Sequence, residues 1–139
     1  MVTERAKKLL LEGGYTCVFI SADQTLTSKK RGVSPLLEII DDKKDLRGAC
    51  AADKVVGAGA AYLYVLLEVK EIWAHTISEA ARAILERYNI PYSYGNCVPH
   101  IINRTGDGIC PMENAVKDAT SPEDALYKIK STLEKLKQI

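Results

Sequence analysis

The stretch Trp73-Ala74-His75-Thr76-Ile77-Ser78-Glu79-Ala80-Ala81-Arg82-Ala83-Ile84-Leu85 constrains the fold of this chain more than any other. Its first part carries aromatic and β-branched residues, its second part strong helix formers, and no turn residue separates them. A strand therefore passes directly into a helix at Ser78-Glu79, where Ser78 is suited to cap the first turn. A strand that feeds a helix returns to its sheet by a crossover. Parallel strands with helices packed on their faces follow.

The rest of the chain fits around that unit. Thr3 is placed to cap a first helix that runs to about Glu12, where Gly13-Gly14 stops it. Thr16 to Ile20 reads as a strand, Asp23-Gln24 as a turn, and Thr25 to Ser28 as a short return strand. Lys29-Lys30-Arg31 follows, either a solvated edge that discourages strand addition or an anion site. Ser34-Pro35 has the form of an N-cap with proline at the first helical position. A further helix is predicted from near Asp53 to about Leu67, apolar on nearly every side and so buried. Gly57 and Gly59 would each weaken an isolated helix by about 1 kcal/mol. Their presence implies that a strand or a ligand packs closely against that backbone.

Val69 to Ile77 is a second clear strand, and Glu79 to Tyr88 a helix ended by Asn89 and Pro91. Tyr92 to Asn103 contains a strand, and Thr105-Gly106-Asp107-Gly108 a loop. Cys110-Pro111-Met112-Glu113 starts a short helix, in which Glu113 is spaced to cap its own first turn. Ser121-Pro122-Glu123-Asp124 opens the last helix, whose Leu126, Ile129, Leu133 and Leu136 form one stripe. An early hairpin combined with later crossovers predicts one α/β domain over residues 1–139. Its expected form is a three-layer α/β/α sandwich with a mixed sheet.

Charge and composition narrow the function classes. A formal net charge of +1 on 139 residues offers no basic field for nucleic acid. No apolar run approaches the roughly 18 residues of a membrane span. Met1-Val2-Thr3-Glu4-Arg5 lacks the apolar core of a signal peptide, so a cytoplasmic location is expected. Cys17, Cys50, Cys97 and Cys110 include no Cys-x-x-Cys pair, so neither a disulfide framework nor a structural zinc site is expected.

Three phrases in order, Ala52-Asp53-Lys54-Val55-Val56-Gly57, the Ser78-Glu79 junction and Cys110-Pro111-Met112-Glu113, carry a resemblance. The chain resembles a small prokaryotic family of unknown function with a cytidine-deaminase-like fold. That resemblance implies a pocket at the two helix starts without the zinc of true deaminases. Those enzymes place a His-Ala-Glu or Cys-Ala-Glu phrase at one helix start and Pro-Cys-x-x-Cys at the next. The metal lowers the pKa of bound water and the glutamate moves the proton. Here Ala51-Ala52-Asp53 or Ala52-Asp53-Lys54 stands at the first place and Ser78-Glu79-Ala80-Ala81 at the second. Neither supplies a ligand set, so zinc-dependent deamination is not expected and no metal or other cofactor is required.

Paired helix starts turn free N–H groups and positive dipole ends toward one point, which favours anions. The reading is a binder of a nucleotide or related phosphorylated ligand, contacted by Asp53, Lys54, Gly57, Ser78, Glu79 and Arg104. A lysine at a helix start has its charged form disfavoured, which would make Lys54 a candidate nucleophile. Cys110, ahead of Pro111, is the other candidate, for an enzyme of another type. His100 is placed where it could line the pocket. His75 sits in a strand and reads as a sheet residue. The buried central helix and modest charge also suit a structural or protein-binding module, or a homodimer.

Overall fold

The computed structural model describes residues 2–103, 106 and 108–137. Along the chain run α1 (Val2–Gly13), β1 (Cys17–Ile20), β2 (Thr25–Ser28), α2 (Ser34–Asp41), β3 (Cys50–Val56), α3 (Ala58–Leu67), β4 (Glu71–Ser78), α4 (Glu79–Arg87), β5 (Tyr92–Val98), α5 (Pro111–Ala115) and α6 (Pro122–Lys137). The five strands form one sheet in the order β2-β1-β3-β4-β5. β1 is antiparallel to both its neighbours, while β3, β4 and β5 are parallel. This is the expected α/β class with a mixed sheet.

The sheet separates two apolar layers. On one face α1 lays Ala6 and Leu10 against Val18, Ile20, Ala52 and Trp73. On the other face the remaining helices share a larger core. Leu36 of α2, Leu63 and Tyr64 of α3, Leu85 of α4 and Ile129 of α6 are all nearly or fully buried there. Each fully buried aliphatic side chain of this kind contributes about 1.5–3 kcal/mol. The period-2 alternation of Cys17, Val18, Phe19 and Ile20 between the two layers is what commits β1 to its register.

Three expected element starts are corrected. Asp53 does not begin a helix: it lies in β3, and the helix starts at Ala58 after Gly57 in extended backbone (φ −94°, ψ −177°). A continuous apolar run is equally compatible with a fully buried strand, and the strand half carries the β-branched pair Val55-Val56. Thr3 lies inside α1 and, instead of capping it, donates from Oγ1 to Glu71 Oε1 at 2.8 Å. Ser34 is the first residue of α2, which has Val33 at its cap and no side-chain cap bond. The serine caps of α4 and α6 are as expected. Ser78 Oγ accepts from Ala81 N–H at 3.1 Å, and Ser121 Oγ accepts from Asp124 N–H at 3.0 Å.

α3 ends on Glu68 in the left-handed region (φ 55°), a conformation that disfavours any residue with a Cβ. Glu68→Gly is expected to stabilise the chain by about 0.5–1 kcal/mol after the larger unfolded-state entropy of glycine is subtracted. A shift of the urea midpoint at unchanged slope would register it.

Candidate functional site

The starts of α3 and α4 lie side by side because the parallel strands β3 and β4 feed them at one edge of the sheet. The space between them is filled by the side chain of Glu113, which α5 carries in from the far end of the chain. Glu113 is 7% exposed. Its Oε1 accepts from Ala58 N–H at 2.6 Å and from Ser78 Oγ at 2.8 Å, and its Oε2 accepts from Ile101 N–H. Glu113 therefore caps two other helices, not its own. At the α3 start the Ala58 N–H is engaged by this carboxyl group, and at the α4 start the Ala81 N–H is engaged by the Ser78 hydroxyl that the carboxyl group holds.

That arrangement also decides the metal question at this point. The groups turned inward are two main-chain N–H donors and a serine hydroxyl that donates, which together suit an anion and oppose a cation. Zinc does not fit the residues present. Among the described residues no three His, Cys, Asp or Glu side chains gather where a metal ion could be held.

The close neighbour of the two glycines is not the expected strand or ligand but the α5 segment with Ile101. A Cβ on Gly57 would stand 3.0 Å from Ile101 Cγ1 and 3.2 Å from Glu113 Oε1. One on Gly59 would stand 3.3 Å from the Met112 carbonyl oxygen. Ile101 is held in place by the bond from Cys110 N–H to its carbonyl at 2.8 Å and by the bridge between Ile102 and Ile109.

Beside this junction opens a cleft of about 300 Å³ at the end of β3. Asp53, Lys54, Gly57, Cys110 and Glu113 line it, and Arg31 joins them from the basic run after β2. Val33, Ile101 and Met112 supply apolar wall. A larger groove of about 550 Å³ lies between β2 and α2, but its charged lining is exposed, and Lys30 and Glu38 there already form an ion pair. The smaller cleft is the better candidate because buried polar groups converge on it, as ligand sites require.

The floor of the cleft contains a short hydrogen-bonded chain. Tyr64 Oη donates to Asp53 Oδ2 at 2.7 Å, and Cys17 Sγ lies 3.4 Å from Tyr64 Oη. Val55 N–H donates to Asp53 Oδ1 at 3.2 Å. Burial pushes the Asp53 carboxyl up to about 7, against the pull of the Tyr64 hydroxyl and the main-chain N–H groups of Val55 and Lys54. Burial likewise pushes the Cys17 thiol and the Tyr64 phenol up, with the Asp53 charge adding to both. Neither is a nucleophile or a base near neutral pH.

The structure thus brings together Asp53, Lys54 and Gly57 of the expected contacts, and both candidate nucleophiles, Cys110 and Lys54. Ser78 is fully buried as a cap, and Glu79 is exposed; neither lines the cleft. Arg104 lies outside the described residues. His100 is exposed and does not line the cleft, and His75 is exposed with Nδ1 3.1 Å from Thr76 Oγ1. Cys110 accordingly has no histidine beside it in the cleft. The premise for an activated Lys54 also changes, because the lysine lies in β3 and not in the first turn of a helix. Sequence reasoning missed Arg31 as a cleft residue and the partners of Glu113 and Tyr64.

The sequence profile of TM1506, a domain of unknown function (DUF1893), matches residues 5–133. The chain belongs to this family. A crystal structure of a DUF1893 family protein (TM1506) from Thermotoga maritima is 25% identical, with a TM-score of 0.86 over 94% of this chain and 88% of that one. The DUF1893 fold described above is therefore shared along nearly the whole of both chains. A second solved structure, a diaminohydroxyphosphoribosylaminopyrimidine deaminase/5-amino-6-(5-phosphoribosylamino)uracil reductase from Thermotoga maritima, is similar at a TM-score of 0.45 and 13% identity. That likeness covers 68% of this chain and 35% of the other. Among curated proteins none matches this sequence. No helix among the described residues is long and apolar enough to cross a membrane.

Proposed function

We propose that this DUF1893 chain binds a nucleotide or related phosphorylated ligand in the cleft at the end of β3. The observation that carries the reading is the meeting of Lys54 and Arg31 with a buried carboxyl group and apolar wall in one cavity of about 300 Å³. The two cations supply the anion contact that the helix starts, already engaged by Glu113, do not. Val33, Ile101 and Met112 offer a surface on which a flat ring can lie. The position, outside the carboxyl end of a parallel strand, is where open α/β sheets collect ligands.

Thermal unfolding of the purified chain with each nucleoside monophosphate, and with inorganic phosphate, tests this. A ligand at about ten times its Kd adds about 1.4 kcal/mol to the folded state. That corresponds to a Tm rise of about 4 °C for a domain of this size. Lys54→Ala and Arg31→Ala are expected to abolish the rise while leaving the Tm of the unliganded protein within about 2 °C, since both side chains are exposed. No rise with any of these compounds overturns the reading.

A further inference from the structure

The cleft has an acidic floor beneath a basic rim, and the floor is not balanced. Asp53 is 8% exposed, lines the cavity, and takes part in none of the ion pairs among the described residues. Every group that contacts it is neutral: the Tyr64 hydroxyl from α3 and main-chain N–H groups of its own strand, with the Cys17 thiol of β1 behind Tyr64. The charged side chains that share its cavity are Lys54, Arg31 and Glu113. Glu113 is spoken for by α3, α4 and Ile101, and Lys54 and Arg31 are exposed.

An ionised carboxylate offers about four acceptor sites, and a buried one without a counter-charge is costly to keep ionised. Something that donates from the cavity side would lift that cost. Neither water-exposed cation makes that bond in the structure, so the natural donor is the ligand. From this we infer that Asp53 selects the ligand by accepting a hydrogen bond from an amino group on a flat heterocycle whose phosphate meets Lys54 and Arg31.

This rests on the phosphorylated-ligand reading and narrows it to the amino-bearing members of that class. The chemistry is recognition alone: the Asp53 carboxyl gives up its proton to solvent as the amino N–H takes its place, and no bond of the ligand breaks. A carbonyl oxygen at the same place on the ring would face carboxylate oxygen. A site built for a donor rejects an analogue that lacks it, because its own buried group is left unpaired. With burial holding Asp53 near pH 7, the proton given up is measurable under ordinary conditions.

Isothermal calorimetry on matched pairs tests the assignment: AMP and GMP against IMP, and CMP against UMP. AMP and IMP, like CMP and UMP, differ by an amino group exchanged for a carbonyl oxygen with a proton gained on the neighbouring ring nitrogen; GMP and IMP differ by the 2-amino group alone; the phosphate is constant throughout. The amino member of at least one pair is expected to bind about tenfold more tightly or better. Asp53→Asn, whose amide can itself donate, is expected to bring that ratio to within about twofold. Lys54→Ala weakens all members alike. Should the Asn variant fold poorly, proton release by the unaltered protein serves instead. Binding of the amino member in buffers of different ionisation heat should release more protons near neutral pH than binding of its partner. Equal affinities within every pair, or equal proton release, overturn the assignment of Asp53 while leaving the phosphate reading intact. Absence of binding by all nucleotides and by inorganic phosphate overturns both.

Discussion

Glu113→Ala is expected to lower the unfolding free energy by about 3–5 kcal/mol. The side chain satisfies three donors at once, two of them from the buried starts of different helices. Removing it leaves the buried Ala58 N–H and the fully buried Ser78 hydroxyl without their acceptor, at about 1–3 kcal/mol for each buried group. The bond to Ile101 lies nearer the surface, so solvent recovers part of it. A domain of this size has about 5–15 kcal/mol in total, so the loss would amount to a Tm drop of about 10–15 °C. Glu113→Gln separates shape from acceptor number. Its amide oxygen still accepts from Ala58 and Ser78, but its amide nitrogen meets the Ile101 N–H donor to donor. A cost of about 1–3 kcal/mol follows for Gln, smaller than for Ala. Equal unfolding midpoints for Glu113→Ala and the unaltered chain would show that the α3 and α4 starts do not depend on this clamp.

The difference between what was and was not legible in the sequence follows the range of the interactions. The Ser78-Glu79 junction was legible because the cap is local: Ser78 bonds the N–H three residues on. The turn after α4 was legible for the same reason, with Asn89 in the left-handed region (φ 60°) ahead of Pro91. β3 was not, because its buried half, Cys50 to Asp53, shows no alternation, and Ala51-Ala52 favours helix over strand. That single misreading moved Asp53 and Lys54 to a helix start that lies instead at Ala58, and hid a central strand of the sheet. Gly57 and Gly59 did announce a close neighbour, but nothing local said that it would be Met112 and Glu113. The role of Glu113 was out of reach: its partners Ala58 and Ser78 are 55 and 35 residues away. A glutamate three residues after a helix start looks the same whether it caps that helix or two others.

Asp53 makes the stability of this chain fall as pH rises from its unfolded value of 3.8 to its folded value of about 7. In the unfolded chain its carboxyl titrates near 3.8, in the folded chain near 7. Below the unfolded value the group is neutral in both states and its contribution is fully present. Between the two values the folded state holds a proton that the unfolded state has released, so unfolding free energy declines by about 1.4 kcal/mol per pH unit. The decline totals on the order of 4 kcal/mol and ends above pH 7, where both states are ionised. Asp45, held low by its exposed pair with Arg47, pulls the other way only at much lower pH and through a solvent-screened contact. Urea unfolding at intervals from about pH 5 to 8 should therefore trace a curve that falls and then levels above about pH 7. Asp53→Asn should flatten it, since nothing at that position then titrates. Tyr64→Phe should extend the fall to higher pH, because losing the hydroxyl that donates to Oδ2 makes the ionised form harder still to keep. A curve equally steep in Asp53→Asn would place the titrating group elsewhere. A flat curve in the unaltered chain would mean that the carboxyl is ionised throughout, paired with a charge that the fold supplies.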